Sequence, residues 1–178
     1  MLSILYHKMK YKAVALFILA TAAMVTAQDP QFSQFYAAPL YLNPAFAGST
    51  QQGRIGLNYR NQWPGIDANF TTVSAFADFY LEDYKSGIGA ILTRDYANVL
   101  GLQNIGLGVQ YAYQLNINKK VSFRPGVQVS INSRNINYSK LIFGDQINPD
   151  GSITPTGENL SGAGSIFYPD LGFGGLLF

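Results

Sequence analysis

Apolar and polar residues alternate strictly in two long stretches of this sequence, at residues 105–115 and 121–132. A period of two places successive side chains on opposite faces of an extended strand, whereas a helix needs a period of about 3.6. In both stretches the odd positions are apolar and the even positions are small or polar. The chain is therefore predicted to be all-β, with one apolar face on its sheet.

Weaker alternation at residues 54–62, 69–80, 87–93 and 171–178 brings the prediction to about six antiparallel strands. The connections alternate in length. Residues 81–86 and 116–120 are short and polar, whereas 63–67, 96–101 and 134–170 lie at the opposite end. Short periplasmic turns facing longer extracellular loops are typical of a transmembrane β-barrel.

A soluble β-sandwich or barrel would also alternate, but strands of about ten residues suit a tilted bilayer span better than the usual soluble strand of about five or six. Aromatic residues also collect near the predicted strand ends, as an interfacial girdle requires. They are Tyr59, Trp63 and Phe70 at one rim, and Phe79, Tyr80, Tyr84, Tyr111 and Tyr113 towards the other. In a soluble protein these rings would be core residues or cross-strand pairs.

The N-terminus has the three parts of a secretory signal peptide. Basic residues Lys8, Lys10 and Lys12 precede an apolar run at 13–25, and small residues follow before Gln28. A transmembrane anchor is the alternative, but the run is short for the roughly 20 residues that a helix needs to span a bilayer. Residues 1–27 are therefore predicted to be removed on export.

Cleavage would change the charge of the chain. The full sequence has 12 basic and 10 acidic residues. Loss of the three lysines leaves nine basic residues and a net charge of −1, which gives no reason to expect nucleic-acid binding. The single histidine, His7, would leave as well, and the chain has no cysteine. Without these residues it cannot build a Ser-His-Asp triad, a Cys-His pair or a His- or Cys-ligated zinc site, so neither an enzyme nor a cofactor is predicted.

Residues 29–48 read DPQFSQFYAAPLYLNPAFAG, and this segment resembles the N-terminal signature of the PorP/SprF family. The resemblance extends to Arg60-Asn61-Gln62-Trp63 and, more weakly, to Tyr168-Pro169-Asp170-Leu171-Gly172. The signature positions are Asp29, Pro30, Phe32, Ser33, Gln34, Phe35, Tyr36, Pro39, Leu40, Tyr41, Asn43, Pro44, Ala45 and Gly48.

The resemblance implies an outer-membrane barrel without catalytic activity that is tied to type IX secretion and, in gliding bacteria, to the export and surface retention of large adhesins. The implied partners are outer-membrane lipid, other type IX secretion components and the C-terminal domains of secreted surface proteins. A general porin or small-solute channel is the chief alternative. An outer-membrane hydrolase is a third class, which the missing histidine disfavours.

Three regions follow: the signal peptide at 1–27, a signature segment at 28–52 and a partial barrel at 53–178. Prolines in the signature segment limit regular structure and predict an irregular plug or periplasmic strap. Its aromatic side chains either pack inside the barrel mouth or dock a partner, and the sequence alone does not separate these alternatives. They are Phe32, Phe35, Tyr36, Tyr41 and Phe46.

The even-numbered charges Arg54, Arg60, Asp78 and Arg124 should face the barrel lumen if the apolar positions face lipid. There they would form a selectivity patch or simply pair and stay hydrated. Glycines recur mainly on the same face, and alternating glycine in strands suggests sharp curvature or the close approach of another segment, for which the signature segment is the obvious candidate. They are Gly87, Gly89, Gly106, Gly108, Gly126, Gly172 and Gly174.

Two acidic motifs are also considered. Asn148-Pro149-Asp150-Gly151 after Asp145 has part of a calcium-loop pattern, but the spacing is out of register and the later glutamate is missing, so a turn is predicted. Glu82 and Asp83 lie on a predicted turn without a base or metal partner, as solubilising residues do.

Finally, PorP/SprF proteins are about twice this length, and six strands fall below the smallest known barrels of about eight. We therefore expect a fragment in which residues 54–62 and 171–178 are unpaired edges, with Phe178 only coincidentally matching the terminal phenylalanine of many barrels.

Overall fold

The structure is a computed structural model, and it describes residues 32–66, 68–99, 101–138, 141–157 and 165–178. The predicted signal peptide and the signature residues Asp29 and Pro30 lie outside this part of the chain.

The described residues form an all-β fold with one antiparallel sheet of seven strands. The strands are β1 (Arg54–Gln62), β2 (Phe70–Leu81), β3 (Ser86–Ala97), β4 (Leu102–Tyr113), β5 (Leu115–Asn116), β6 (Ser122–Ile136) and β7 (Ile166–Leu177). The strand order is β1-β2-β3-β4-β6, with β5 and β7 both paired to β6. The all-β prediction is confirmed.

The six predicted strands correspond to the six long strands, and the seventh strand, β5, has only two residues. Four strands run at least three residues further than predicted: β3 to Ala97, β4 from Leu102, β6 to Ile136, and β7 from Ile166. These extensions lie at the end of the sheet opposite the short turn between β2 and β3, and there backbone pairing continues after the apolar alternation has stopped. Within the described residues β1 and β7 pair on one side only, as predicted for the edges.

Register separates the side chains of the sheet into two faces, because directly paired residues point the same way. On one side, which we call the apolar face, a row of aliphatic residues and a proline crosses all six long strands. It consists of Leu57, Ala75, Leu92, Leu107, Ile131 and Pro169. The large members of this row, Leu92, Leu107 and Ile131 among them, are exposed.

The opposite side carries the signature segment, and we call it the strap face. Tyr80 is paired with Gly87 and therefore lies on the strap face, so its assignment to a lipid-facing girdle was wrong. Phe70 shares the parity of Tyr80 and contacts Trp63 edge to face, with 5.8 Å between the ring centroids. The girdle assignment of Tyr80 failed because the odd or even position of a residue along its strand, and not its closeness to a strand end, decides which face its ring occupies.

Short connections join the strands at one end, which we call the turn end. A 3₁₀ turn at Glu82–Tyr84 links β2 to β3 and closes with Lys85 in the left-handed region at φ 48°. Glu82 and Asp83 are exposed on this turn. At the opposite end, the loop end, β1 connects to β2, β3 to β4, and β6 to β7. No helix within the described part of the chain has the length and apolar character needed to cross a bilayer.

Candidate functional site

The signature segment folds as a compact strap, defined here as residues 32–50. A 3₁₀ turn (Phe35–Ala37), one α-helical turn (Pro39–Leu42) and a second 3₁₀ turn (Pro44–Phe46) follow one another. Each proline stands at the start of its turn, where its fixed φ fits and its missing N–H costs no hydrogen bond. Between the last two turns, the Asn43 side chain accepts a hydrogen bond from the amide of Ala45 at 2.9 Å.

The strap crosses the sheet along a row of small residues near the turn end. Register places Gly87, Ala112, Gly126 and Gly174 side by side on β3, β4, β6 and β7. We call these four residues the small-residue row. Their lack of bulk lets a second backbone lie directly on the sheet, which is the close approach that the glycine pattern predicted.

Three of the four positions leave no room for a side chain. A Cβ atom at Gly87 would overlap the carbonyl of Ala47, and one at Gly126 would overlap the backbone of Ala45. At Gly174 it would overlap the side chain of Asn43. Asn43, Ala45 and Ala47 therefore lie over β7, β6 and β3 in turn, so this part of the strap crosses the sheet from β7 towards β2.

Asp78 anchors the far end of the strap. Its side chain is fully buried (0% exposed) and accepts two hydrogen bonds from Arg54, from Nε at 2.9 Å and from Nη2 at 3.0 Å. The amide of Gly48 donates a third, at 2.7 Å. Gly48 itself has φ 65°, a left-handed conformation that glycine adopts without the penalty of a Cβ. One carboxylate thus joins the strap, β1 and β2.

Arg124 and Gln110 hold the middle of the strap through its carbonyl groups. Arg124 is 2% exposed, donates to the carbonyl of Ala47, and places its guanidinium 5.6 Å from the ring centre of Tyr80. Gln110 donates to the carbonyl of Leu40 at 2.7 Å. Polar side chains from β4 and β6 thereby pair backbone groups that the strap has buried.

A small hydrophobic core lies beneath the same segment. Leu40 and Ala47 of the strap are fully buried against strap-face residues Phe76, Ile91 and Ala112. Burying a leucine side chain contributes about 1.5–3 kcal/mol. Apolar packing and polar anchoring therefore act on the same short stretch of strap.

The aromatic residues of the strap divide into two groups. Phe32 is buried and contacts Tyr41 edge to face, with 5.2 Å between the ring centroids. Phe46 packs partly buried against the core. Phe35 and Tyr36 are 59% and 70% exposed and contact only each other among the ring pairs of the described residues.

The remaining signature positions follow the same division. Those buried against the sheet or in the strap are Pro39, Leu40, Ala45 and Gly48, those partly buried are Asn43 and Pro44, and those exposed are Ser33 and Gln34.

Of the four charges predicted to face the lumen, three meet at the strap and the fourth does not. Arg54, Asp78 and Arg124 surround residues 46–48. Arg60 lies further along β1, donates to Gln62 at 2.8 Å, and lines a cleft with Phe32 and Asn58.

The predicted turn at Asn148-Pro149-Asp150-Gly151 is present in the loop between β6 and β7. The amide of Gly151 donates to the carbonyl of Asn148 at 2.9 Å, and the backbone amide and hydroxyl of Ser152 both donate to Asp150. The hydroxyl and the amide of Ser152, in that order, lower the pKa of Asp150. Within the described residues no group of three His, Cys, Asp or Glu side chains could hold a metal ion.

Sequence reasoning missed Gln110, Phe76 and Ile91 as strap contacts, and Tyr80 as the ring beside Arg124. Gln110 already occupied a polar position of the strongest alternating stretch, so its face was predictable, but its partner was not. Phe76 and Ile91 were missed because large apolar residues on the polar side of a strand break the pattern used to find the strand.

Comparison with known proteins places this architecture in a family. No curated protein and no solved structure matches the sequence significantly. The family model described as type IX secretion system membrane protein PorP/SprF matches residues 24–178, which includes the strap and every strand of the sheet. The chain belongs to the PorP/SprF family of type IX secretion system membrane proteins.

Proposed function

We propose that this chain is a non-enzymatic outer-membrane barrel component that binds or anchors secreted surface proteins, gliding adhesins among them, during type IX secretion. Family membership supports the link to secretion. The observation that carries the finer proposal is the strap, which occupies the polar side of the sheet while leaving two aromatic residues uncovered.

The proposed orientation follows from the two faces and the two ends of the sheet. The apolar face contacts lipid, and the strap face lines the lumen. Short turns are periplasmic in outer-membrane barrels, so the turn end and strap residues 43–47, which lie on the small-residue row, are on the periplasmic side. This orientation requires export, for which the predicted cleaved signal peptide at residues 1–27 would serve.

An anchoring role is favoured over a porin because the strap is held to the sheet by both close packing and hydrogen bonds. Its backbone lies against the small-residue row, and Asp78, Gln110 and Arg124 all bond to it. A lumen that holds an extra backbone segment has little room for free diffusion of solutes. Purified protein in planar bilayers should therefore show low conductance, whereas a porin would conduct with the strap in place.

Phe35 and Tyr36 are proposed as docking contacts for a secretion partner. Large aromatic groups are usually buried where burial is possible, and these two stand at the exposed end of an otherwise well-packed strap. Aromatic residues are also enriched at the centres of protein interfaces. Their removal should therefore weaken partner binding without loosening the strap.

Affinity purification from outer membranes tests this proposal. The double variant Phe35→Ser/Tyr36→Ser should lose the secretion components or C-terminal domains that the unaltered chain retains. Tyr84→Ser is the matched control, because Tyr84 is also an aromatic residue with a largely exposed side chain (71%) and lies outside the strap. Equal recovery of partners by all three proteins would refute the docking role, and recovery of none by the unaltered chain would refute the anchoring proposal.

A further inference from the structure

Arg94 is the one charged side chain on the apolar face of the described strands. It is paired with Val73 on β2 and Ile105 on β4, and both of these residues belong to the apolar face. The other charged residues of the strands have the parity of the strap face. They are Arg54, Arg60, Asp78, Asp95, Arg124, Arg134 and Asp170.

The height of Arg94 on the sheet is also distinctive. The next row of the apolar face towards the turn end, which contains Leu92 and Leu107, is wholly apolar. The next row towards the loop end is polar or aromatic in every strand that it crosses, and consists of Asn61, Thr71, Tyr96, Gln103 and Asn135. Arg94 therefore marks the level at which the apolar face ends, at the loop end of the sheet.

A cleft with a volume of about 520 Å³ opens beside Arg94 on this face. Among the described residues its lining contains one guanidinium, two tyrosines and several amide groups, but no carboxylate. These residues are Arg94, Tyr96, Gly101, Gln103, Asn135, Ile136, Asn137 and Tyr138. The charge of the cleft is thus positive and uncompensated by its own walls.

Arg94 is exposed, and no ion pair with another described residue engages it. Its hydrogen bond to Oε1 of Gln103 is long, at 3.5 Å, and leaves most of its five N–H donors available. A charged side chain facing lipid costs about 2–4 kcal/mol at the bilayer midplane and about 0–1 near the interface. At an interface, a guanidinium can recover this cost by bonding a lipid phosphate bidentately.

We propose that this cleft binds a phosphate-bearing lipid head group of the outer leaflet. Arg94 holds the phosphate, and Gln103 and Asn135 donate to neighbouring oxygens. The acyl chains lie along the apolar row that contains Leu92 and Leu107. The proposal uses the membrane orientation given above but is independent of the secretion partner, so it is tested on purified protein alone.

Native mass spectrometry of the full chain in detergent, titrated with lipid A, measures the binding. Arg94→Gln should weaken it by about tenfold, the effect of losing a charge-assisted bidentate contact. Arg94→Lys should retain part of the affinity, because the charge remains without the planar pair of donors. Enzymatically dephosphorylated lipid A should bind the unaltered chain no better than it binds Arg94→Gln.

Arg134→Gln is the matched control. Arg134 is also exposed at the loop end of the sheet, but its pairing with Asn104 and Ile166 puts it on the strap face. It should leave lipid binding unchanged. Equal losses of lipid affinity in both variants would show a general charge effect, and equal binding of the two lipid A forms would show that the phosphate is not recognised. Efficient competition by inorganic phosphate would assign the cleft to a free anion. Each of these three results would overturn the proposal.

Discussion

Asp78→Asn is the sharpest test of how the strap is held. The carboxylate of Asp78 accepts three hydrogen bonds, two from Arg54 and one from Gly48. The substitution keeps the size of the side chain and removes its charge. It also replaces one acceptor oxygen with an NH2 group, which faces a donor in either orientation: Nε of Arg54 at one position, or Nη2 of Arg54 together with the Gly48 amide at the other.

The magnitude follows from the number of bonds lost. If the remaining oxygen takes the position shared by Nη2 and Gly48, the bond from Nε is lost and the Gly48 amide keeps only a neutral acceptor. At least one charge-assisted hydrogen bond therefore disappears, and such bonds contribute about 1.5–3 kcal/mol each. Arg54 is 26% exposed in its side chain, so water offsets part of its loss. We take about 2 kcal/mol as the net cost, which raises the population of released strap by about thirtyfold.

Amide hydrogen exchange measures that population directly. The amides of Asn43 and Ala47 donate within the strap, to Pro39 and Pro44, and exchange when its turns open. Their exchange should accelerate by about thirtyfold in Asp78→Asn, while the amides of β3 and β4 keep their protection. Asp95→Asn is the matched control, because Asp95 is also on the strap face but bonds to the hydroxyl of Thr72, away from the strap.

Two results would refute this reasoning. Unchanged strap exchange in Asp78→Asn would mean that the small-residue row and the core under Leu40 hold the strap without the carboxylate. An equal acceleration in Asp95→Asn would mean that any lost charge on this face loosens the sheet.

Three further predictions address other parts of the chain. Gly126→Ala should expose the strap to limited proteolysis because its Cβ would overlap the strap backbone, whereas Gly172→Ala, where the nearest atom is 3.4 Å away, should not. Leu107→Arg should destabilise insertion into lipid vesicles by about 2–4 kcal/mol if the apolar face contacts lipid, and an unchanged urea midpoint would contradict that contact. The backbone amide of Gly157 and, next in size, a threonine hydroxyl lower the pKa of Asp145 from 3.8. This loop contact should therefore persist at neutral pH and disappear only as the pH falls through the lowered pKa. A change in the NMR signal of the Gly157 amide near neutral pH would contradict this prediction.

Alternation along the chain was sufficient to predict the all-β fold and the strands. Residues 105–115 and 121–132 correspond to β4 and β6 because side-chain direction in a strand depends only on local backbone geometry. The same parity assigned Arg54, Asp78 and Arg124 to one face. Strand ends were less accurate, since β3 and β7 extend through backbone pairing that leaves no apolar pattern.

Tertiary structure alone decided which of these residues meet. The small-residue row exists because register aligns positions 87, 112, 126 and 174, which are far apart in sequence. The strap lies on that row, and Asp78 bonds Gly48 across 30 residues of chain. Local sequence therefore determines the face on which a side chain lies, whereas its partner across the sheet depends on strand register, which is a property of the folded chain as a whole.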